Sequence, residues 1–104
     1  MPQLEAAFCG VPVISTYYSA MQSVIDNING IGIEPLSFVR ECETGCKRAI
    51  PNNDEFIVKL MSVCEKDKLK SLGEHMRKSA LNHYSWDKTA DRWLQYLQSQ
   101  DVPD

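Results

Sequence analysis

Charge of one sign is what this chain most plainly lacks. Its 11 basic and 14 acidic residues leave a formal net charge of −3. Such a balance gives no global electrostatic attraction to nucleic acid or to an anionic bilayer. Lys47-Arg48 is an isolated basic pair rather than a stripe, so nucleic acid is not an expected partner. Long apolar runs are missing as well. None approaches the ~20 residues that a membrane span needs. The first residues carry no basic cluster followed by an apolar core, so they are not a secretion signal. Histidine is scarce. Only His75 and His83 are present, and neither has a carboxylate or nucleophile at a catalytic spacing. Cys42 and Cys46 fall in one short stretch, but no His or further Cys completes a metal set around them. Internal repeats, low-complexity tracts and linkers are absent.

What is present is an ordinary globular composition, 43% hydrophobic and 24% charged, in a length that makes residues 1–104 one domain. Cys9, Cys42, Cys46 and Cys64 read as reduced thiols of a cytosolic protein. A Cys42–Cys46 disulfide in a loop is the alternative.

The organising stretch is the first sixteen residues. Leu4, Ala7 and Phe8 recur at helical spacing. Pro2 suits a first helical turn, and Gly10 can take the positive φ that ends a helix. Beyond Pro12, Val13-Ile14 reads as a buried strand. Helix, tight turn and strand make half of a parallel α/β unit. Glu5 stands among apolar or small neighbours. An acid early in a helix is favoured by the helix dipole, so a plain surface role accounts for it on physical grounds alone.

Leu4-Glu5-Ala6 through Cys9-Gly10-Val11-Pro12-Val13-Ile14 resembles the signature of the group 1 glycosyltransferases of the GT-B fold. That signature has two spaced Glu residues, the second followed by Ala, then Gly, any residue, Pro and Val. In that family the second Glu bonds the ribose hydroxyls of a sugar-nucleotide donor, and Glu5 is the matching residue. A carboxylate suits the task, because it accepts from two neighbouring O–H groups at once. The family's first Glu and its phosphate-facing loop would fall before Met1. The chain is therefore expected to be the C-terminal, donor-binding portion of a longer enzyme, or the product of a truncated gene.

Ser19 is a candidate N-cap for a helix through Asp26, with Met21, Val24 and Ile25 as its stripe. The family often has a Gly-Gly pair where this chain has Ser19-Ala20. The amides of that helix start could still face a phosphate. Asn27 to Gly30 reads as a turn and Ile31-Gly32-Ile33 as a strand that would pair beside Val13 to Ser15. Leu36 to Pro51 shows little periodicity and reads as a long connection. Its Gly45 to Asn52 part resembles a Gly-x-x-Arg-x-x-Pro-Asp segment of some group 1 transferases. Lys47 and Arg48 there either face an anionic ligand or form a solvated basic turn.

Asn52 or Asn53 should cap the next helix, whose stripe is Phe56, Ile57, Leu60, Met61 and Cys64. Lys66-Asp67 should break it. A further helix is expected from about Lys68 to Asn82, weakened modestly by Gly73. Ser85 should cap a last helix with Trp86, Ala90, Trp93, Leu94 and Leu97 on one face. Tyr84-Ser85-Trp86 resembles the family's aromatic-Ser-Trp motif. The end, Gln98 to Asp104, is polar and reads as frayed.

The expected fold is α/β: a partial Rossmann-like, GT-B C-terminal domain with a short parallel sheet and about five helices. The resemblance implies transfer of a hexose from a nucleoside-diphosphate sugar to an acceptor hydroxyl, with retention and without cofactor or metal. Glu5 is the donor-binding candidate, with Ser19, Ala20 and Arg48 as further ones, and no residue is assigned a catalytic role. The chain alone should be inactive, because one wall of the cleft is missing. The implied location is the cytoplasm, with peripheral membrane attachment through the preceding domain. The alternative is a non-catalytic truncated α/β interaction module that self-associates to cover its two tryptophans.

Overall fold

The computed structural model describes residues 1–100. Helix α1 (Pro2–Phe8) has Pro at its start and ends in a left-handed Gly10, φ +76°. Val11 N–H donates to the Ala6 carbonyl at 2.9 Å and Gly10 N–H to that of Ala7 at 3.0 Å. This pair of bonds is a Schellman cap, which only a residue comfortable at positive φ allows. The chain then extends into β1 (Ile14–Thr16), crosses through α2 (Ala20–Ile28) and returns as β2 (Ile31–Ile33). The two strands are parallel, with Ile14 opposite Ile31 and Thr16 opposite Ile33. The pairing is one residue later than expected, although the Val13 carbonyl still accepts from Ile31 N–H at 2.9 Å. Asn29 closes α2 in the left-handed region, which Asn tolerates better than most side chains.

The segment read as an unstructured connection is a β-hairpin. β3 (Ser37–Arg40) pairs antiparallel with β4 (Lys47–Ile50). Gly45 turns the loop at φ +70°, and Gly45 N–H and Glu41 N–H donate to the Glu41 and Cys46 carbonyls, both at 2.8 Å. The strands are largely solvent-facing on both sides. Burial therefore imposed no alternation on the sequence, and the pattern that marks a strand never arose. All four cysteines are free and exposed, so the Cys42–Cys46 bond considered above is not formed.

Three helices complete the described residues: α3 (Asn53–Val63), α4 (Lys66–His83) and α5 (Trp86–Ser99). Asn52 caps α3 through Glu55 N–H at 3.1 Å, and Ser85 caps α5 through Lys88 N–H at 3.1 Å. The break before α4 falls at Cys64-Glu65, not Lys66-Asp67. Asp67 enters the first turn of α4 instead, where the helix dipole favours an acid. Of the polar end expected from Gln98, residues up to Ser99 are helical, and 101–104 lie outside the described residues.

The core is small. Ala7, Val13, Val24, Ile25, Ile28, Met76 and Ala80 form one buried cluster, where α4 lies across α1 and α2. Ile33 is buried as well. Arg77 Nε donates to the Phe8 carbonyl at 3.1 Å, which ties α4 to the end of α1. The stripe expected on α3 is real in sequence but not packed. Phe56, Ile57, Leu60 and Met61 are all exposed. The α5 face is exposed too. The molecule is accordingly flat, 60 × 42 × 16 Å with a radius of gyration of 17.5 Å. About 13 Å is usual at this length. Among the described residues no helix is long and apolar enough to cross a membrane.

Candidate functional site

Glu5 sits in the first turn of α1 with its side chain 78% exposed, and its Oε1 lies 3.8 Å from the Met1 ammonium. The exposed i,i+4 pairing is weak and leaves the carboxylate able to accept other donors. Glu5 lines an open groove of about 370 Å³ together with Leu4 and Phe8 of the same helix. The facing wall is Tyr84, Ser85, Trp86 and Thr89, at the junction of α4 and α5.

That wall is fixed from behind. Tyr84 Oη accepts from Asn27 Nδ2 at 2.9 Å, so its ring is held against α2. Ser85 Oγ is engaged in the α5 cap. Trp86, the first residue of α5, is 88% exposed. The groove thus opposes one acceptor-only group to an indole over an apolar floor. It can accept hydroxyl donors on one side and stack against a flat or apolar group on the other.

The remaining candidates lie elsewhere. Ser19, Ala20 and Arg48 do not line the Glu5 groove. Ser19 occupies the N-cap position of α2, but its side chain makes no cap bond, and its backbone is at φ 56°, ψ −139°. The hairpin is docked beside this helix start by Tyr18. Its hydroxyl donates to the Lys47 carbonyl, and its ring lies 5.5 Å from that of Phe38. Tyr18 thus links the start of α2 to the hairpin, and neither Ser19-Ala20 nor Lys47-Arg48 lines the Glu5 groove.

The cations of the hairpin have partners within it. Arg48 pairs with Glu41, Arg40 Nη1 donates to the Gly45 carbonyl at 2.9 Å, and Lys47 Nζ stands 4.5 Å over the Phe38 ring. The charges of the hairpin are thus matched locally.

Tyr17 titrates above the ordinary phenol range. Its hydroxyl donates to both oxygens of Asp26, at 2.9 and 2.8 Å. That bond, with help from desolvation and the charges of Asp26 and Glu34, raises its pKa above 10.0. His83 Nδ1 lies 3.0 Å from the Ser79 carbonyl, a helix-end contact rather than a catalytic one. Among the described residues no group of His, Cys, Asp and Glu gathers as a metal site.

Sequence reasoning missed that Trp86 would flank Glu5. Read as part of an apolar stripe, Trp86 is assigned only to a face that self-association would cover. Its place directly after the Ser85 cap, at the exposed start of a helix, is the signal of an open position.

Comparison of the chain with protein-family profiles, with curated proteins and with solved structures finds no match.

Proposed function

We propose that this chain is the donor-binding portion of a nucleotide-sugar-dependent glycosyltransferase, which in a complete enzyme passes a hexose to an acceptor hydroxyl. The observation that carries the reading is a convergence. Leu4-Glu5 and Tyr84-Ser85-Trp86, the two stretches that resemble the group 1 transferases, line one groove although 79 residues of sequence separate Glu5 from Tyr84. The parallel β1-α2-β2 unit supports it, because an open parallel α/β sheet is where nucleotides are commonly held. A partial Rossmann-like arrangement belongs to the same reading.

In this proposal the Glu5 carboxylate accepts the two ribose hydroxyls of the donor. The amides at the start of α2, from Ser19 and Ala20 onward, offer donors toward a diphosphate. Arg48 must leave Glu41 to reach an anion, so it is a secondary contact. No residue here is a catalytic acid or base, and the chain by itself turns nothing over.

Calorimetric titration with UDP, GDP and ADP, free and sugar-linked, tests the proposal on the native chain and on Glu5→Ala. Two hydrogen bonds to a charged acceptor contribute about 1.5–3 kcal/mol each. The variant should therefore bind at least about ten-fold more weakly. Equal affinity for both proteins removes Glu5 from the site. Absence of binding by the native chain overturns the donor-binding assignment.

A further inference from the structure

Helix α5 ends the described fold with an apolar face that no described residue covers. Trp86 is 88% exposed, Trp93 62%, Leu94 54% and Leu97 60%, and no residue of the helix is buried. The accessible surface of the molecule is 7916 Å² at 11.8 kDa. A folded monomer of that mass exposes about 5,900 Å², an excess here of about 2,000 Å². A stable dimer needs about 800 Å² from each protomer. That excess is shared among α3, the hairpin and α5, and α5 carries both exposed tryptophans.

The spacing on α5 says how such a copy would sit. Trp86, Ala90, Trp93 and Leu97 follow a four-three-four step, the seam of a two-helix coiled coil. Large and small residues alternate along it. In a parallel pair each residue would meet itself, so Trp93 would face Trp93 while Ala90 faced Ala90 across a gap. In an antiparallel pair about a two-fold between Asp91 and Arg92, the indole of Trp93 meets the partner's Ala90, and Trp86 meets the partner's Leu97. Every layer then opposes a bulky group to a smaller one, the condition for close packing.

The flanks agree. Residues 87, 89, 94 and 96 border the seam, and Asp87 is the only charge among them, so no like charges are brought together. Trp93 and Tyr96 pack edge to face at 6.3 Å. With Thr89 and Arg92 they line a shallow, open depression beside the seam. An antiparallel pair also sets the two helix dipoles in opposition.

We infer that the chain forms a symmetric dimer through antiparallel pairing of α5, with Trp93 of each protomer seated on Ala90 of the other. The inference does not rest on the donor-site reading, although the two share Trp86. Trp86 belongs both to this seam and to the rim of the Glu5 groove, so a partner helix also borders that groove.

Sedimentation equilibrium on the full chain, from micromolar to submillimolar, should report a dimer. Trp93→Asp, checked for unchanged far-ultraviolet circular dichroism, should weaken association at least about a hundred-fold, while Leu60→Asp on α3 should leave it intact. Pair orientation is read by spin labels at Asp91→Cys or Ser99→Cys, with the four exposed native cysteines replaced by serine. Antiparallel pairing predicts an axial offset between the two labels of about 1.5 Å at 91 and about 22 Å at 99, from 1.5 Å of rise per residue on both helices, so with helices about 10 Å apart the distance at 99 is about 15 Å longer. A concentration-independent monomer overturns the inference. So do a dimer untouched by Trp93→Asp, a dimer lost in Leu60→Asp, and short distances at both label positions.

Discussion

Gly73 of α4 lies directly on the carbonyl of Gly10, so closely that a Cβ at 73 would fall 1.9 Å from the Gly10 oxygen and 2.9 Å from its carbonyl carbon. The obstacle is backbone and cannot swing aside. Gly73 sits in the interior of a helix, where it costs about 1 kcal/mol relative to Ala in isolation. Here that cost is offset by the contact it permits between α4 and the turn after α1.

The expected outcome for Gly73→Ala is therefore opposite to helix propensity. It should destabilise the fold by about 3 kcal/mol or more, because the overlap must be relieved by moving α4 off α1. Gly45→Ala is the control. Gly45 has φ +70° but nothing within 4 Å of the added Cβ, so only the left-handed backbone is penalised, by about 1 kcal/mol. Urea unfolding of the two variants should separate these values.

Ser19 is the residue whose backbone suits its side chain least. A φ of 56° with ψ of −139° is a region that glycine occupies readily. Its hydroxyl gives nothing back, since no cap bond forms. Ser19→Gly should raise stability by about 1 kcal/mol, visible as a higher urea midpoint at unchanged slope. A loss of stability would mean that the turn before α2 is held by the serine after all.

Tyr17 predicts an alkaline effect. Its folded pKa is raised, chiefly by the hydrogen bond to Asp26. The protonated phenol is thus the form that the fold prefers. The stability it contributes is complete below pH 10.0 and is lost as pH rises through the higher folded value. The ring lies over Gly32, where a Cβ would come within 2.9 Å of Tyr17 Cδ2, so Tyr17→Phe keeps the packing and removes only the hydroxyl. Ultraviolet titration of phenolate should show a component that ionises above the ordinary phenol range, and that component should disappear in Tyr17→Phe and shift to lower pH in Asp26→Asn.

Met76 is fully buried, and its sulfur accepts from Val13 N–H at 3.2 Å. Met76→Ala should cost about 2–5 kcal/mol. With so few other residues buried, that amount should leave the chain largely unfolded at 25 °C by circular dichroism. Met76→Leu keeps the volume but orphans the Val13 donor, for about 1–3 kcal/mol. Faster hydrogen exchange at the Val13 amide is its specific mark.

These residues also show where the sequence could be read and where it could not. The path from α1 through β2 was legible because Leu4, Ala7 and Phe8, then Gly10, then Val13-Ile14 each carry a local cue that the fold obeys. The two caps, Asn52 and Ser85, were legible for the same reason. The hairpin was not, since Phe38 and Val39 are exposed on strands that bury neither face. Gly73 read as a weak spot in a helix, because its contact with Gly10 is invisible without the third dimension. The stripes of α3 and α5 were found, yet periodicity reports only that a face is apolar, not that anything lies against it. At the candidate site Glu5 was singled out by resemblance. Its meeting with Trp86 depends on how α4 crosses α1, which no short stretch encodes.

The bond between Val13 and Met76 also has a bearing on synthesis. Residues 13 and 76 are 63 positions apart. Translation proceeds at about 5–20 residues per second, so the apolar side of the opening segment waits roughly three to thirteen seconds before its cover leaves the ribosome. Throughout that interval Ala7, Val13 and the inner side of α2 face solvent or a chaperone. The nascent polypeptide should therefore be most prone to aggregate midway through its production, and most dependent on holding factors then.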